Sequence, residues 1–210
     1  MKRLYTLVLT IMVGLALLLA SCSARPGNIH VVEGGDIPPA TEIPMEPLVY
    51  HADLTHDGKD EKIIVDLSQL KTEDQNANVS VFDSGDKLLW SGDASIIHAG
   101  NNGIYLYKEN DYTYLLTWCP WAGQGSVGLS YEIFSLSNNG DVLSYRKGEG
   151  TFTLDNEMSA GPNGRRSEAN LFIQEVNRYL EQSMLLVAAT TEGAYFSTPD
   201  NLVVRLAQEF

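Results

Sequence analysis

From Leu48 to Leu154 the chain is a succession of short apolar stretches, rich in β-branched and aromatic residues and separated by turn-forming residues. A sheet of short strands is the structure this pattern builds. The stretches are Leu48 to Ala52, Lys62 to Leu67, Val79 to Asp83, Lys87 to Trp90, Ile104 to Tyr107, Tyr112 to Cys119, Val127 to Leu136, Val142 to Tyr145 and Thr151 to Leu154. Asp57-Gly58, Ser84-Gly85-Asp86, Asn101-Asn102-Gly103, Glu109-Asn110-Asp111 and Asn138-Asn139-Gly140-Asp141 divide them. These residues tolerate tight or left-handed backbone, and connections this short join antiparallel neighbours. Val127, Leu129, Tyr131 and Ile133 make one face apolar, after which Phe134 and Leu136 take the other. That switch predicts a bulge or a strand covered on both sides.

A helical period emerges late. Ser167 can cap a helix in which Phe172, Ile173, Val176, Tyr179, Leu180 and Met184 recur at spacings of three and four. Such a stripe has to lie on the sheet. Gly161 to Arg166 reads as a loop, Leu185 to Ala189 as a further strand, and Ser197-Thr198-Pro199-Asp200 as the start of a short terminal helix through Gln208. The expected fold is α+β: an antiparallel β-meander sheet with one packed amphipathic helix near the C-terminus. Residues 48–210 are expected to form a single β-rich domain.

The first residues carry a different message. Lys2 and Arg3 precede an apolar run from Leu4 to Ala20, the pattern of an export signal. A retained membrane helix is the competing reading, but the run falls short of the roughly 20 residues that span a bilayer core. It ends in Leu19-Ala20-Ser21-Cys22, which resembles the lipobox of bacterial lipoproteins. The resemblance implies a signal peptide over residues 1–21, removed after the Cys22 sulfur has received a diacylglyceryl group. It places the protein in the cell envelope, lipid-anchored to a membrane on its extracytoplasmic face. Two acyl chains give stable residence where one is marginal. Residues 22–47 are then the acylated cysteine and a tether holding Pro26, Pro38, Pro39, Pro44 and Pro47, with Gly27, Gly34 and Gly35. Its polyproline-like reach, at about 3.1 Å per residue, is on the order of 75 Å. The alternative is that part of it packs as an irregular first strand.

Charge narrows the partners. Lys and Arg number 14 against 27 Asp and Glu, a net charge of -13. Nucleic acid is excluded as a partner, because its phosphates demand a basic face. An anionic leaflet also repels such a body, so anchoring falls to the lipid.

One loop has metal chemistry. Counting from Asp53, oxygen side chains stand at positions one (Asp53), three (Thr55), five (Asp57) and nine (Glu61), with Gly58 at six and the Lys59 carbonyl available at seven. Calcium takes six to eight hard oxygens from a backbone that turns sharply. An EF-hand would need Glu at position twelve, where Ile64 stands, and helices where both flanks read as strands. The segment, continued by Lys62-Ile63-Ile64-Val65, resembles instead the strand-flanked calcium loops of FG-GAP and VCBS-type repeats. That resemblance implies ligation by Asp53, Thr55, Asp57 and Glu61, with affinity of roughly 10⁻⁴ to 10⁻³ M as in extracellular modules. The alternative is a solvated Asp-Gly turn without metal. His56, at position four, is expected to point outward.

Other signals are weaker. Gly123-Gln124-Gly125-Ser126-Val127-Gly128 matches GxGxxG, but a strand follows where a dinucleotide site needs a helix. These glycines read as a hairpin loop or a place of close backbone approach. Trp118 and Trp121 beside them could stack on a sugar or a peptide, although Trp118 shares a strand face with Tyr112, Tyr114 and Leu116 and can equally be core. Cys119, unpaired once Cys22 carries lipid, reads as a buried structural cysteine. The expected role is a non-enzymatic binding or accessory module with no catalytic residue assigned. The alternatives are an envelope hydrolase acting on polysaccharide or peptide and an inhibitor or assembly factor for another envelope protein.

Overall fold

A computed structural model describes residues 32–33, 46–71, 76–95, 102–123, 125–153, 164–190, 193–198 and 205–207. In chain order the strands are β1 (Val32–Glu33), β2 (Leu48–Ala52), β3 (Glu61–Asp66), β4 (Asn76–Phe82), β5 (Leu88–Ser95), β6 (Asn102–Glu109), β7 (Tyr112–Gly123), β8 (Ser126–Leu136) and β9 (Val142–Thr153). β10 (Gly164–Arg165) leads into the helix α1 (Arg166–Leu180), followed by β11 (Ser183–Thr190), β12 (Gly193–Phe196) and β13 (Arg205–Leu206). The fold is α+β, mostly antiparallel strand with a single α-helix among the described residues near the C-terminus.

The meander divides in two. β2-β3-β4-β5 form one sheet of sequential hairpins, while β6, β7, β8 and β9 continue the meander in a second sheet ordered β10-β9-β8-β7-β6-β11-β12. Alternation decides how these sheets stack. In β6, Ile104 and Leu106 face one way and Tyr105 and Tyr107 the other, and all four are buried. A strand apolar on both faces needs cover on both. On one face Ile104, Leu106, Leu115 and Leu136 join a core with Ile63, Val65, Val79 and Val81 of the smaller sheet. On the opposite face Leu116, Trp118, Leu129 and Ile133 pack with Ala169, Ile173, Val176 and Leu180 of α1. The large sheet is thus the middle of three layers. Each fully buried aliphatic side chain contributes about 1.5–3 kcal/mol, so both outer layers are held by burial rather than by their few inter-layer hydrogen bonds.

The change of face in β8 comes from cover on both sides with its alternation unbroken, and the bulge lies in its partner β9. Ile133 belongs to the helix-side core and Phe134 to the sheet-side core. Opposite them the register steps from Ile133↔Arg146 to Phe134↔Ser144, leaving Tyr145 as the extra residue of a bulge in β9.

Several elements differ from the sequence expectation. The stretches Val142 to Tyr145 and Thr151 to Leu154 are parts of one strand, β9, which runs through Gly148 and Gly150 and whose described residues end at Thr153. Rings fill the space those glycines leave: Tyr131 and Phe172 crowd Gly148, and Phe152 crowds Gly150. Within the expected loop 161–166, Gly164 and Arg165 pair in parallel with Phe152 and Thr153. Helix α1 stops at Leu180, and Met184 belongs to β11. Gln182 N–H donates to the Tyr179 carbonyl at 3.1 Å, and the Ser183 hydroxyl donates to the same carbonyl at 2.8 Å. This turn closes the helix before its apolar stripe is used up. β12 has no counterpart in the sequence pattern. Arg205 and Leu206, expected in a terminal helix, pair as a strand with Val32 and Glu33, while 199–204 and Gln208 lie outside the described residues. Within the segment read as a tether, Val32–Glu33 therefore pairs with the domain.

Candidate functional site

The Asp53–Glu61 loop joins β2 to β3 and closes on its own hydrogen bonds. The Asp53 carboxylate accepts Asp57 N–H at 3.1 Å and Gly58 N–H at 3.0 Å. Asp57 accepts Lys59 N–H at 2.9 Å, with the Lys59 ammonium 3.7 Å from its other oxygen. Glu61 is buried and takes three donors: Leu54 N–H at 2.7 Å, Thr55 N–H at 3.0 Å and the Thr55 hydroxyl at 3.2 Å. Gly58 has φ +85, the left-handed turn that glycine permits at no steric cost. The oxygens are of the type a hard cation prefers, and they are arranged as acceptors of backbone N–H groups. Among the described residues no group of three or more His, Cys, Asp or Glu side chains stands close enough to hold a metal ion.

His56 does not point outward. It adopts φ 58, is half-buried, and its Nε2–H donates to the Thr113 carbonyl at 2.9 Å. Its ring lies 4.7 Å from Tyr112 and 5.0 Å from Tyr114, and Tyr114 stacks on Tyr145 at 4.8 Å with 16° between the planes. Local strain is thus offset by a long-range contact: the calcium-like loop is pinned to the start of β7, where four rings lie in a row.

Polar groups sit at the end of that row. Glu109, the last residue of β6, accepts the Tyr145 hydroxyl at 2.5 Å and Arg146 Nη2 at 3.1 Å. Arg146 Nη2 also donates to the Tyr145 oxygen at 3.0 Å. The bulge makes this possible, because it allows Tyr145 and Arg146, adjacent in sequence, to meet one carboxylate. The hydrogen bond from Tyr145, aided by the Arg146 charge, holds the Glu109 carboxyl below its ordinary range. Reciprocally, the bond to Glu109 raises the Tyr145 phenol, and burial raises Tyr107 and Tyr114. At neutral pH the surface thus presents protonated phenols beside a carboxylate and a guanidinium that neutralise each other.

The aromatic row continues inward under α1. Tyr107 meets Tyr179 edge to face at 5.8 Å, and Tyr131 lies 5.4 Å from Tyr179. The Tyr131 hydroxyl donates to Glu175 at 2.8 Å, and burial with that bond pushes its phenol strongly up. This part is a packed interior with satisfied polar ends. The surface part is different, since Tyr112 and Tyr145 remain 52% and 44% exposed.

The remaining sequence candidates separate. Trp118 is 3% exposed in the helix-side core, 6.4 Å from Phe172, so its ring is closed to a surface ligand. Trp121 is exposed, and its indole covers Gly128, its partner across the hairpin. Gly128 is therefore a place of close approach, and strand β8 starts where a dinucleotide motif would need its helix. Cys119 is exposed rather than buried, because alternation along β7 turns it to the face opposite the buried Trp118 and Pro120, and the groups crowding its sulfur push the thiol up. Cys22 and the motif around it lie outside the described residues.

Sequence reasoning does not find Glu109, Tyr145 and Arg146 as a unit. Glu109 and Tyr112 flank a turn and are visible as a cross-strand pair, but the partners on β9 depend on a bulge with no sequence mark of its own. Comparisons with protein-family models, with curated proteins and with solved structures find no match.

Proposed function

We propose that the chain is a bacterial lipoprotein, anchored through a diacylglyceryl group on Cys22 to the extracytoplasmic face of a membrane, and that its β-rich domain is a non-enzymatic binding module. The observation that carries the anchor is Leu19-Ala20-Ser21-Cys22 at the end of an apolar run that follows Lys2 and Arg3. The binding reading is supported by the exposed rings of Tyr112 and Tyr145, which stand with a paired carboxylate and guanidinium at β6, β7 and β9. Among the described residues no helix is long and apolar enough to cross a membrane.

Calcium enters this reading as a weak ligand of the Asp53–Glu61 loop. The support is the oxygen chemistry of Asp53, Thr55, Asp57 and Glu61 and the Lys59 carbonyl; were it bound, it would stiffen the loop that carries His56. No step of the binding role depends on it.

Mass spectrometry of the protein from its native host tests the anchor. The expected N-terminus is Cys22 with a thioether-linked diacylglyceryl group, and the first 21 residues absent. An unmodified Cys22, or a retained leader, overturns the reading.

A further inference from the structure

We infer that the free edge of β9 pairs with the same edge of a second copy of this chain, antiparallel about Gly148, so that two large sheets become one. Such pairing is independent of the binding role proposed above. Among the described residues the outer side of β9 has a strand partner only at Phe152 and Thr153, where β10 lies. Toward the other end the bulge at Tyr145 shifts the ladder. Between these limits the strand leaves a row of backbone N–H and C=O groups without a strand partner, the template that a further strand completes.

Charge on this edge selects the occupant. Two antiparallel strands related by a two-fold axis must set one residue opposite itself, because neighbouring opposed pairs differ in hydrogen-bond type and symmetry-related pairs share it. With Gly148 on the axis, Lys147 of each copy stands opposite Glu149 of the other, Arg146 opposite Gly150 and Tyr145 opposite Thr151. Moving the axis to Lys147 or to Glu149 sets like charges face to face instead. Gly148 turns its Cβ position toward Tyr131 and Phe172 on the helix side, so Lys147 and Glu149, both exposed, share the other side, where Glu132 of β8 neighbours Lys147. The joined sheet therefore alternates in sign from Glu132 and Lys147 of one copy to Glu149 of the other. The free edges of β2, β5 and β12 contain no Lys or Arg, so none of them can match acid to base with its own copy.

Symmetry also suits a shared membrane. An axis normal to the sheet puts both helix layers on one side, and the Asn177–Ala207 bonds hold the end of β13, with β1 paired to it, against α1. Tethers from both copies then leave on the same side. A ladder from Tyr145 to Thr151 buries less than the roughly 1,200 Å² of a stable interface, and a net charge of -13 on each copy opposes approach, so association in solution is weak. Anchors in one bilayer raise the effective concentration toward the millimolar range.

Charge exchange tests the pairing, with sedimentation equilibrium of the full chain in density-matched detergent as the measurement and circular dichroism as the check on folding. Wild type is expected to show a monomer–dimer equilibrium by about 0.5 mM. Lys147→Glu and Glu149→Lys are each expected to weaken dimerisation about ten-fold or more, because two attractive pairs become two repulsive ones. The double variant Lys147→Glu/Glu149→Lys restores opposite signs and is expected to return to within about three-fold of wild type, while Leu171→Ala, exposed on α1, changes nothing. Disulfide trapping reads the register: in a Cys119→Ser background, oxidised glutathione is expected to cross-link a mixture of Lys147→Cys and Glu149→Cys copies far faster than either alone. A monomer at every concentration, which would leave the edge to a strand of another protein, overturns the pairing. So does a dimer indifferent to both single substitutions, or a double variant no better than the singles. A Cys22 without lipid would defeat the anchor and leave these results standing.

Discussion

Asn177 and Ala207 exchange two hydrogen bonds, the side-chain amide donating to the Ala207 carbonyl and its oxygen accepting the Ala207 N–H, each at 2.7 Å. One amide side chain on α1 thus imitates a strand partner for the residue that follows β13. Because β13 pairs with Val32–Glu33, the clamp also positions the chain that arrives from the N-terminal side. Asn177→Ala leaves the 4%-exposed Ala207 with unmet backbone groups and should cost about 1–3 kcal/mol by urea denaturation. Asn177→Asp keeps the acceptor for Ala207 N–H but sets a carboxylate oxygen against the Ala207 carbonyl, so at neutral pH it should be no milder than Asn177→Ala; equal stability of all three proteins would show that the clamp contributes nothing.

Two left-handed glycines separate conformational strain from collision. Gly58 has φ +85 and open space where a methyl group would stand, whereas Gly140 has φ +93 and a Cβ there would strike the backbone carbonyl of Leu89. Gly58→Ala should cost about 1 kcal/mol, the usual penalty for an L-residue in that region. Gly140→Ala adds displacement of a backbone that cannot rotate away, and should cost at least twice as much. Thermal melts of the two variants side by side check the order.

Local pattern and distant packing divide the fold in the same way. Strands β6 to β8 are legible because their apolar residues alternate over many positions, and burial on both faces is already visible in Ile104 to Tyr107. β9 reads as two pieces because Arg146, Lys147, Gly148, Glu149 and Gly150 have the composition of a turn; it stays extended because rings from Tyr131, Phe172 and Phe152 cover the glycines. Which layer covers which face depends on chain crossings that no local period encodes. The candidate site divides likewise. The Asp53–Glu61 loop is local and its spacing announces it, while Glu109 finds Tyr145 and Arg146 at separations of 36 and 37 residues, through a bulge.

Acid should loosen the Glu109 cluster selectively. The native carboxyl is held below its ordinary range, first by the Tyr145 hydrogen bond and then by Arg146, so the stabilisation exists above the unfolded-state value and disappears as pH falls through the native one. Wild type should therefore exceed Glu109→Gln in denaturation midpoint at pH 7, and the gap should close toward pH 3. A gap that persists unchanged at pH 3 would assign the effect to packing rather than charge.

Calcium should act on the Asp53–Glu61 loop modestly, because the acceptors it would use are already engaged. With a dissociation constant near 0.5 mM, 5 mM calcium would stabilise the native state by about 1.4 kcal/mol, a rise of about 3–5 °C in melting temperature for a domain of this size. Magnesium at equal ionic strength should do less, since it demands a stricter octahedron and gives up its water reluctantly. Asp53→Ala and Glu61→Ala both remove loop closure, and each should lower the starting stability. Glu61→Ala should be the worse of the two, by about 1–3 kcal/mol relative to wild type, because it strands the buried Leu54 N–H as well as that of Thr55. The decisive quantity is the calcium increment, not the baseline: it should vanish in Asp53→Ala. If wild type shows no increment at 5 mM, the loop is a turn closed by hydrogen bonds alone, and its function is to carry His56 to Tyr112 and Tyr114.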